Sequence, residues 1–123
     1  MAIRVLVADD NTLIRKQIRS IVESDTELEV CAEAVNGLEA VEKAQESCPD
    51  VAVIDFQGPV MDGLKATRRI KRLMPFLPIL LVTLYSSPQL EWESKQAGVD
   101  AVLLKAEGST CLPEVIHSLL QNG

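Results

Sequence analysis

Five short apolar runs, separated by stretches of helical length, constrain the fold of this chain more than any other feature. The runs are Ile3 to Ala8, Leu28 to Ala34, Val51 to Ile54, Ile79 to Val82, and Ala101 to Leu104. Four of them are nearly continuous, as strands covered on both faces must be, whereas the second alternates with Glu29 and Glu33 and predicts an edge strand. Five strand–helix repeats of this length predict right-handed crossovers and an α/β fold, with a parallel sheet between two helical layers.

The stretches between the runs have the apolar periodicity of helices. In the last stretch a single stripe is formed by Leu112, Val115, Ile116, Leu119 and Leu120. Shorter stripes are formed by Ile14, Ile18, Ile21 and Val22, by Leu38, Val41 and Ala44, and by Ile70, Leu73 and Met74. Residues 88–97 make the least regular helix, and Gly98 is expected to end it.

Size and charge narrow the class of protein. No linker or composition shift divides the 123 residues, so a single domain spanning residues 1–123, without an output domain, is expected. No apolar run approaches the roughly 20 residues of a membrane span. A net charge of −6 disfavours nucleic-acid binding by the chain itself. An odd number of cysteines (Cys31, Cys48 and Cys111) without a C-x-x-C pair predicts free thiols in a reducing cytoplasm.

Polar side chains follow four of the five runs. The first run ends in Asp9 and Asp10, the third in Asp55, the fourth in Thr83 and the fifth in Lys105. Ligands of open α/β sheets bind outside the carboxyl ends of the strands, so these side chains are expected to meet at one edge. Clustered carboxylates need a cation between them, and an oxygen-rich site suits Mg²⁺. The pattern predicts a Mg²⁺-assisted phosphoryl site in which a carboxylate can be the nucleophile.

Each of these residues also has a simpler interpretation when taken alone. Asp9 and Asp10 could cap the first helix, and Lys105 could be an ordinary surface lysine. Their joint placement with Asp55 at the strand ends favours the metal site, because clustered ionisable groups in a cleft are typical of functional sites.

The whole pattern resembles the receiver domain of two-component response regulators, from Val5 to about Leu120. Asp55 is followed by Pro59 and by Met61-Asp62-Gly63, which is similar to the family's D-x-x-x-P-x-M-D-G phosphorylation loop. Four further stretches resemble the subgroup that carries a LuxR-type helix-turn-helix output domain: Asp9 to Arg15, Asn36-Gly37, Gly63 to Ile70, and Leu103 to Lys105. The resemblance implies a flavodoxin-like sheet with strand order 2-1-3-4-5 and five helices.

The resemblance also assigns roles to the site residues. It implies that Asp55 accepts a phosphoryl group from a phosphohistidine, that Thr83 hydrogen-bonds the phosphoryl oxygens and that Lys105 neutralises one of them. Mg²⁺ would be held directly by Asp10 and Asp55, through water by Asp9, and through the backbone carbonyl of Gln57.

The implied protein is a cytoplasmic switch that catalyses its own phosphorylation and is not otherwise an enzyme. Its partner would be a sensor histidine kinase, and homodimerisation stays open. It would not contact a membrane, and it would reach DNA only through an output domain that controls transcription.

Two departures from the family pattern favour an alternative, a phosphorylation-independent interaction module. Val102 stands where the family usually has Tyr or Phe, and Leu84 follows Thr83 where a small residue is usual. Val102 cannot swing like an aromatic ring, so any response is expected between Tyr85 and Trp92. An aspartate-nucleophile phosphatase is disfavoured because Gln57 replaces the second carboxylate that it would need.

Other polar and aromatic residues receive no catalytic role. His117 is expected at the surface, between the apolar side of the last helix and Ser118, and it receives no role because no acid or nucleophile stands at a matching spacing. Lys65, Arg68, Arg69 and Arg72 share one helical face, which is either solvated or a docking patch for an acidic partner. Tyr85 and Trp92 are either partner anchors or packing residues of the fourth helix.

Overall fold

The structure, a computed structural model, describes residues 2–55 and 61–121, without the side chains of residues 106–110. Gln57 and Pro59, which belong to the predicted phosphorylation loop, lie outside the described residues. The elements are β1 (Ile3–Ala8), α1 (Thr12–Glu23), β2 (Leu28–Ala34), α2 (Gly37–Ser47), β3 (Val51–Asp55), α3 (Gly63–Leu73), β4 (Ile79–Thr83), α4 (Pro88–Ala97), β5 (Ala101–Leu104) and α5 (Lys105–Gln121).

All five predicted strands are confirmed, and they pair in parallel in the order β2-β1-β3-β4-β5. The predicted position of β2 at an edge is confirmed as well. Two strands are one residue longer than the apolar runs, because β3 ends at Asp55 and β4 ends at Thr83. These two polar residues are therefore held by the sheet itself and not by the loops that follow it.

The two faces of the sheet bury different halves of the core, because successive side chains of a strand point to opposite sides. Val5 and Val7 of β1 pack with Leu112 and Ile116 of α5 and with α1. On the other face, Leu6, Ala8, Ile54 and Ile79 pack with α2 and α3. Leu81 of β4 is covered by Leu64, Leu90 and Ala97 of α3 and α4.

The helices begin at capping side chains, and the predicted end of α4 is confirmed. Asn11, Asn36, Asp62 and Ser87 each accept a hydrogen bond from a backbone N–H in the first turn of the following helix. Gly98 ends α4 with a φ of 97°, in the left-handed region that favours glycine.

The structure bears on three expectations about individual side chains. Leu38 and Leu73 are exposed and do not belong to the buried stripes, and each lies within two residues of a helix end. His117 is half-buried, and its Nε2 lies 2.9 Å from Asp25 Oδ2, so it joins α5 to the loop after α1. The four basic residues on one face of α3 are exposed, which agrees equally with a solvated face and with a docking patch.

Two further observations concern the cysteines and the apolar character of the helices. None of the three cysteines is in a disulfide. Among the described residues, no helix has the length and apolar character needed to cross a membrane.

Candidate functional site

The pairing of β1 with β3 brings the three predicted carboxylates together. These two strands are neighbours at the centre of the sheet, with Ala8 opposite Ile54, so the residues that follow lie side by side. One carboxylate oxygen from each of Asp9, Asp10 and Asp55 lies within 4.8 Å of the others. We call this group of three side chains, together with Lys105, the acidic edge.

Lys105 bridges two of the carboxylates. Its Nζ lies 3.1 Å from Asp55 Oδ1 and 3.5 Å from Asp9 Oδ2. The three side chains are largely buried, with 20% of Lys105, 7% of Asp55 and 1% of Asp9 exposed. Burial by itself lowers the pKa of Lys105, but the hydrogen bond and charge of Asp55, together with those of Asp9, outweigh it and raise the pKa above its usual value. The ammonium group is therefore charged at neutral pH.

The carboxylate oxygens of the acidic edge form a donor set that fits a small divalent cation. Asp9 Oδ1 accepts a hydrogen bond of 2.9 Å from the backbone N–H of Asn11, which fixes the carboxylate. The other oxygen, Oδ2, is buried and receives no well-formed hydrogen bond from the described residues. A cleft of about 10 Å³, lined by all three aspartates, has room for roughly one water-sized species. An all-oxygen site of this size suits Mg²⁺ better than a transition metal.

Thr83 lies at the same edge of the sheet, and its hydroxyl bonds to the loop that follows β4. Its Oγ1 donates a hydrogen bond of 2.9 Å to the carbonyl of Tyr85 and lies 3.4 Å from the backbone nitrogen of Tyr85. Thr83 pairs with Leu104, the residue before Lys105, so both side chains leave neighbouring strand ends. These hydrogen bonds tie Thr83 to the loop before α4.

The residues from Thr83 to Trp92, which we call the β4–α4 segment, expose large apolar side chains. Leu84 is 57% exposed, Tyr85 79% and Trp92 64%. Of the two interpretations of Tyr85 and Trp92, the structure agrees with exposed side chains and not with packing under α4. Val102 packs partly buried beside Leu81 and Leu90.

Sequence reasoning missed two residues that shape the site. Gly37, the first residue of α2, lies against Met61, and a Cβ at this position would stand 2.4 Å from the carbonyl oxygen of Met61. Only glycine permits this approach, because a contact of that length with backbone cannot be relieved by a side-chain rotation. Arg15 of α1 folds back onto Asp9, where its Nη1 donates a hydrogen bond of 2.9 Å to the backbone carbonyl. An arginine four residues after a helix cap was the available signal, but spacing alone does not show where its side chain turns.

A doubly wound parallel sheet with three carboxylates and a lysine at its carboxyl edge defines the class of receiver-like switch domains. Comparison with known proteins gives the family. Residues 5–117 match the response regulator receiver domain, and the chain belongs to this family.

Relatives of two kinds are similar to this chain. It is 42% identical over 122 residues to a protein-glutamate methylesterase/protein-glutamine glutaminase of Aliivibrio fischeri, covering 99% of this chain and 30% of that protein. The signal receiver domain of the response regulator NarL from Mycobacterium tuberculosis superposes with a TM-score of 0.93 at 25% identity, covering 99% of this chain and 98% of that one. A DNA-binding response regulator of the LuxR family from Staphylococcus aureus superposes with a TM-score of 0.88 at 25% identity, over 95% and 98% of the two chains. The chain thus spans less than a third of the methylesterase's length.

Proposed function

We propose that this receiver domain is a phosphoryl-accepting switch in which Asp55 takes the phosphoryl group from a phosphohistidine of a sensor histidine kinase. The observation that supports this most is the convergence of Asp9, Asp10 and Asp55 on one edge, with the Lys105 ammonium 3.1 Å from an Asp55 oxygen. A carboxylate held beside a fixed positive charge can attack phosphorus, and the same charge can then stabilise the phosphoryl oxygens.

The transfer itself requires little covalent chemistry from the protein. An Asp55 oxygen forms a bond to phosphorus while the bond from phosphorus to the donor nitrogen breaks, and the imidazole leaves with that electron pair. Lys105 Nζ lies between Asp55 and Asp9. After the transfer, the same ammonium group would pair with a phosphoryl oxygen. Thr83 would have to release the carbonyl of Tyr85 before its hydroxyl could donate to the phosphoryl group.

We further propose Mg²⁺ as the cofactor of the acidic edge. Asp10 and Asp55 would hold the ion directly and Asp9 through water, while the proposed contribution of the Gln57 carbonyl lies outside the described residues. When bound, the ion would neutralise carboxylate and phosphoryl oxygens together. The support is the buried Asp9 Oδ2, whose described contact is the ion pair with Lys105 Nζ at 3.5 Å, and the small cleft that the three aspartates line.

Labelling with a small acyl phosphate tests the acceptor. In the presence of Mg²⁺, the protein should gain the mass of one phosphoryl group, as measured by intact mass spectrometry. Asp55→Asn should abolish the gain, and EDTA should prevent it. The matched control is Asp62→Asn, which changes the next carboxylate along the chain while keeping a good cap for α3.

Each outcome of this experiment decides between two functions. Labelling of Asp55→Asn at the wild-type level would refute the assignment of the acceptor. No labelling of the wild-type protein would instead favour a phosphorylation-independent interaction module, the alternative that Val102 and Leu84 suggest.

For the output, we propose control of transcription, as the resemblance to the LuxR subgroup predicts. The support is the close superposition on a DNA-binding regulator of the LuxR family. A methylesterase output is the second candidate, favoured by the 42% identity to a protein of that activity. Sequencing the gene on both sides of the 123 codons distinguishes them, because a helix-turn-helix segment supports the first and an esterase domain supports the second.

A further inference from the structure

Arg15 is a long, charged residue in a helix beside the acidic edge, yet its side chain is only 14% exposed. The guanidinium group is shared between two acceptors on different elements. Its Nη1 donates to the backbone carbonyl of Asp9 at 2.9 Å, and its Nε donates to Glu33 Oε1 of β2 at 3.0 Å. A planar fork with several donors can make both bonds at once, which a lysine ammonium on a flexible stem does less well.

The bond to Asp9 acts on the peptide that carries the proposed metal ligands. The Asp9 carbonyl belongs to the peptide unit that links Asp9 to Asp10, so fixing this oxygen fixes the plane of that unit. The Asp9 N–H donates to the carbonyl of Ala34 at 3.0 Å, and its carboxylate accepts from Asn11. Arg15 therefore supplies the third tether of the turn between β1 and α1.

Glu33 holds Arg15 in this position and also binds Arg19, a second arginine with which Arg15 can be compared. Its second oxygen, Oε2, accepts a hydrogen bond of 2.7 Å from Arg19 Nη1. Arg19 lies one turn further along α1, carries the same charge, and bonds to Glu33 and Glu23. The described hydrogen bonds of Arg19 do not include Asp9, so the two arginines differ in the bond that reaches the acidic edge.

We propose that Arg15 is a positioning residue for the divalent metal site, acting through the Asp9–Asp10 peptide. Losing Arg15 frees a partly buried carbonyl and lets the peptide rotate, which spreads the carboxylates over several arrangements. Metal affinity then falls, as it does when an outer partner of a ligand is removed in other metal sites. The proposal rests on the proposed function for the location of the metal, but not for phosphoryl transfer.

The direction in which Mg²⁺ affinity changes when Arg15 is removed distinguishes positioning from simple electrostatics. Removing a positive charge near three carboxylates makes the site more negative, so electrostatics alone would strengthen Mg²⁺ binding. Positioning predicts the opposite. Arg15→Gln should therefore bind Mg²⁺ more weakly. Arg19→Gln removes the same charge and a bond to Glu33, but it leaves the bond from Arg15 to the Asp9 carbonyl in place.

The experiment is a titration of the folded chain with MgCl₂ alone, followed by calorimetry, with circular dichroism confirming that each variant is folded. Arg15→Gln should raise the Mg²⁺ dissociation constant about tenfold. Arg19→Gln should leave it unchanged within about twofold or lower it slightly. Arg15→Lys keeps the charge with a different donor geometry and should fall between wild type and Arg15→Gln, and it serves as the test variant if Arg15→Gln does not fold.

Three results would overturn the proposal: unchanged or tighter Mg²⁺ binding in Arg15→Gln, equal weakening in both glutamine variants, or full recovery in Arg15→Lys. A wild-type protein that binds no Mg²⁺ would also refute it. A wild-type protein that binds Mg²⁺ but is not labelled by acyl phosphate would refute the proposed acceptor and leave the role of Arg15 to the titration.

Discussion

The acidic edge and the β4–α4 segment begin at the same edge of the sheet but are held in different ways. The side chains of Asp9, Asp55 and Lys105 are largely buried and linked to one another by charge. The β4–α4 segment instead exposes Leu84, Tyr85 and Trp92, and its buried apolar side chain is Leu90. The bonds between Thr83 and Tyr85 tie the start of the segment to the sheet.

We take this difference in burial to separate a rigid site from a segment that needs little free energy to open locally. Regions with few buried contacts open locally at a small fraction of the global unfolding free energy. We therefore expect a change of charge at Asp55 to reach the surface through Thr83 without disturbing the buried sheet. We expect the acidic edge to set the chemistry and the β4–α4 segment to report it, and the following predictions test that division.

The largest expected effect concerns the charge balance of the acidic edge. Lys105→Met leaves two largely buried carboxylates facing each other, and we expect it to lower the free energy of unfolding by about 2 kcal/mol, as measured by urea denaturation. Excess Mg²⁺ should reduce this loss, because a cation again lies between the carboxylates. The matched control is Lys71→Met, which removes a lysine of similar exposure, 19%, that contacts Asp100 at 2.9 Å.

The control should lose less than about 1 kcal/mol and should not respond to Mg²⁺, since the Lys71–Asp100 pair lies outside the acidic edge. Equal losses in the two lysine variants, both insensitive to Mg²⁺, would remove the distinction between the acidic edge and an ordinary ion pair.

The second prediction concerns a variant that removes a hydrogen bond of the β4–α4 segment while keeping the volume of the side chain. Thr83→Val removes the hydroxyl that bonds to Tyr85, and we expect a loss of about 1 kcal/mol in unfolding free energy. Amide exchange from Tyr85 to Trp92 should become faster in this variant. Thr67→Val is the control, because the Thr67 hydroxyl is also buried and donates to the Gly63 carbonyl at 2.7 Å within α3.

The control should lose a similar free energy, while exchange in the β4–α4 segment stays at the wild-type rate. If Thr67→Val accelerated exchange there as much as Thr83→Val, the segment would be responding to global stability and not to its own tether.

The third prediction asks which surface responds to phosphorylation. Adding a phosphoryl mimic with Mg²⁺ should change amide exchange severalfold from Tyr85 to Trp92 and leave β5 nearly unchanged. The physical reason is that Val102 has few rotamers and little volume, so it cannot fill the space that Thr83 would leave. Changes concentrated in β5, with none from Tyr85 to Trp92, would show that this inference from side-chain size is wrong.

The smallest effect concerns the far end of α5, whose first residue is Lys105 of the acidic edge. A backbone hydrogen bond from Glu27 and the side chain of His117 hold the pKa of the Asp25 carboxyl below its usual 3.8. A carboxyl with a lowered pKa stabilises the folded state above the unfolded-state pKa, and this contribution disappears as pH falls through the folded-state value. We therefore expect Asp25→Asn to melt at a slightly lower temperature than wild type at pH 6, with the gap closing as the pH falls below the usual carboxyl pKa of 3.8.

The pair is partly solvent-exposed, so the shift should be small. A melting-temperature gap that stayed constant from pH 6 to pH 2 would mean that the ionised Asp25 does not help to anchor α5.

The positions of the elements and most members of the acidic edge could be predicted from local pattern. Continuous apolar runs identify buried parallel strands because both faces of such strands are covered, and the residue after each run must then lie at one edge. The direction of individual side chains could not be predicted in this way. The turn of Thr83 toward Tyr85 is one of several orientations open to a hydroxyl at the end of a strand, and the exposure of Leu73 depends on where α3 ends.

The sequence by itself determined the alternation of strands and helices, the parallel sheet, and the delivery of three carboxylates and a lysine to the carboxyl edge, because these follow from periodicity and chain direction. Only the tertiary structure decided that Arg15 folds back onto the Asp9 carbonyl, that Gly37 must approach Met61, and that His117 reaches Asp25. Each of these contacts joins residues on different elements or turns a flexible side chain in one of several directions. The free energy that selects among those directions comes from the packed surroundings, which no local pattern contains.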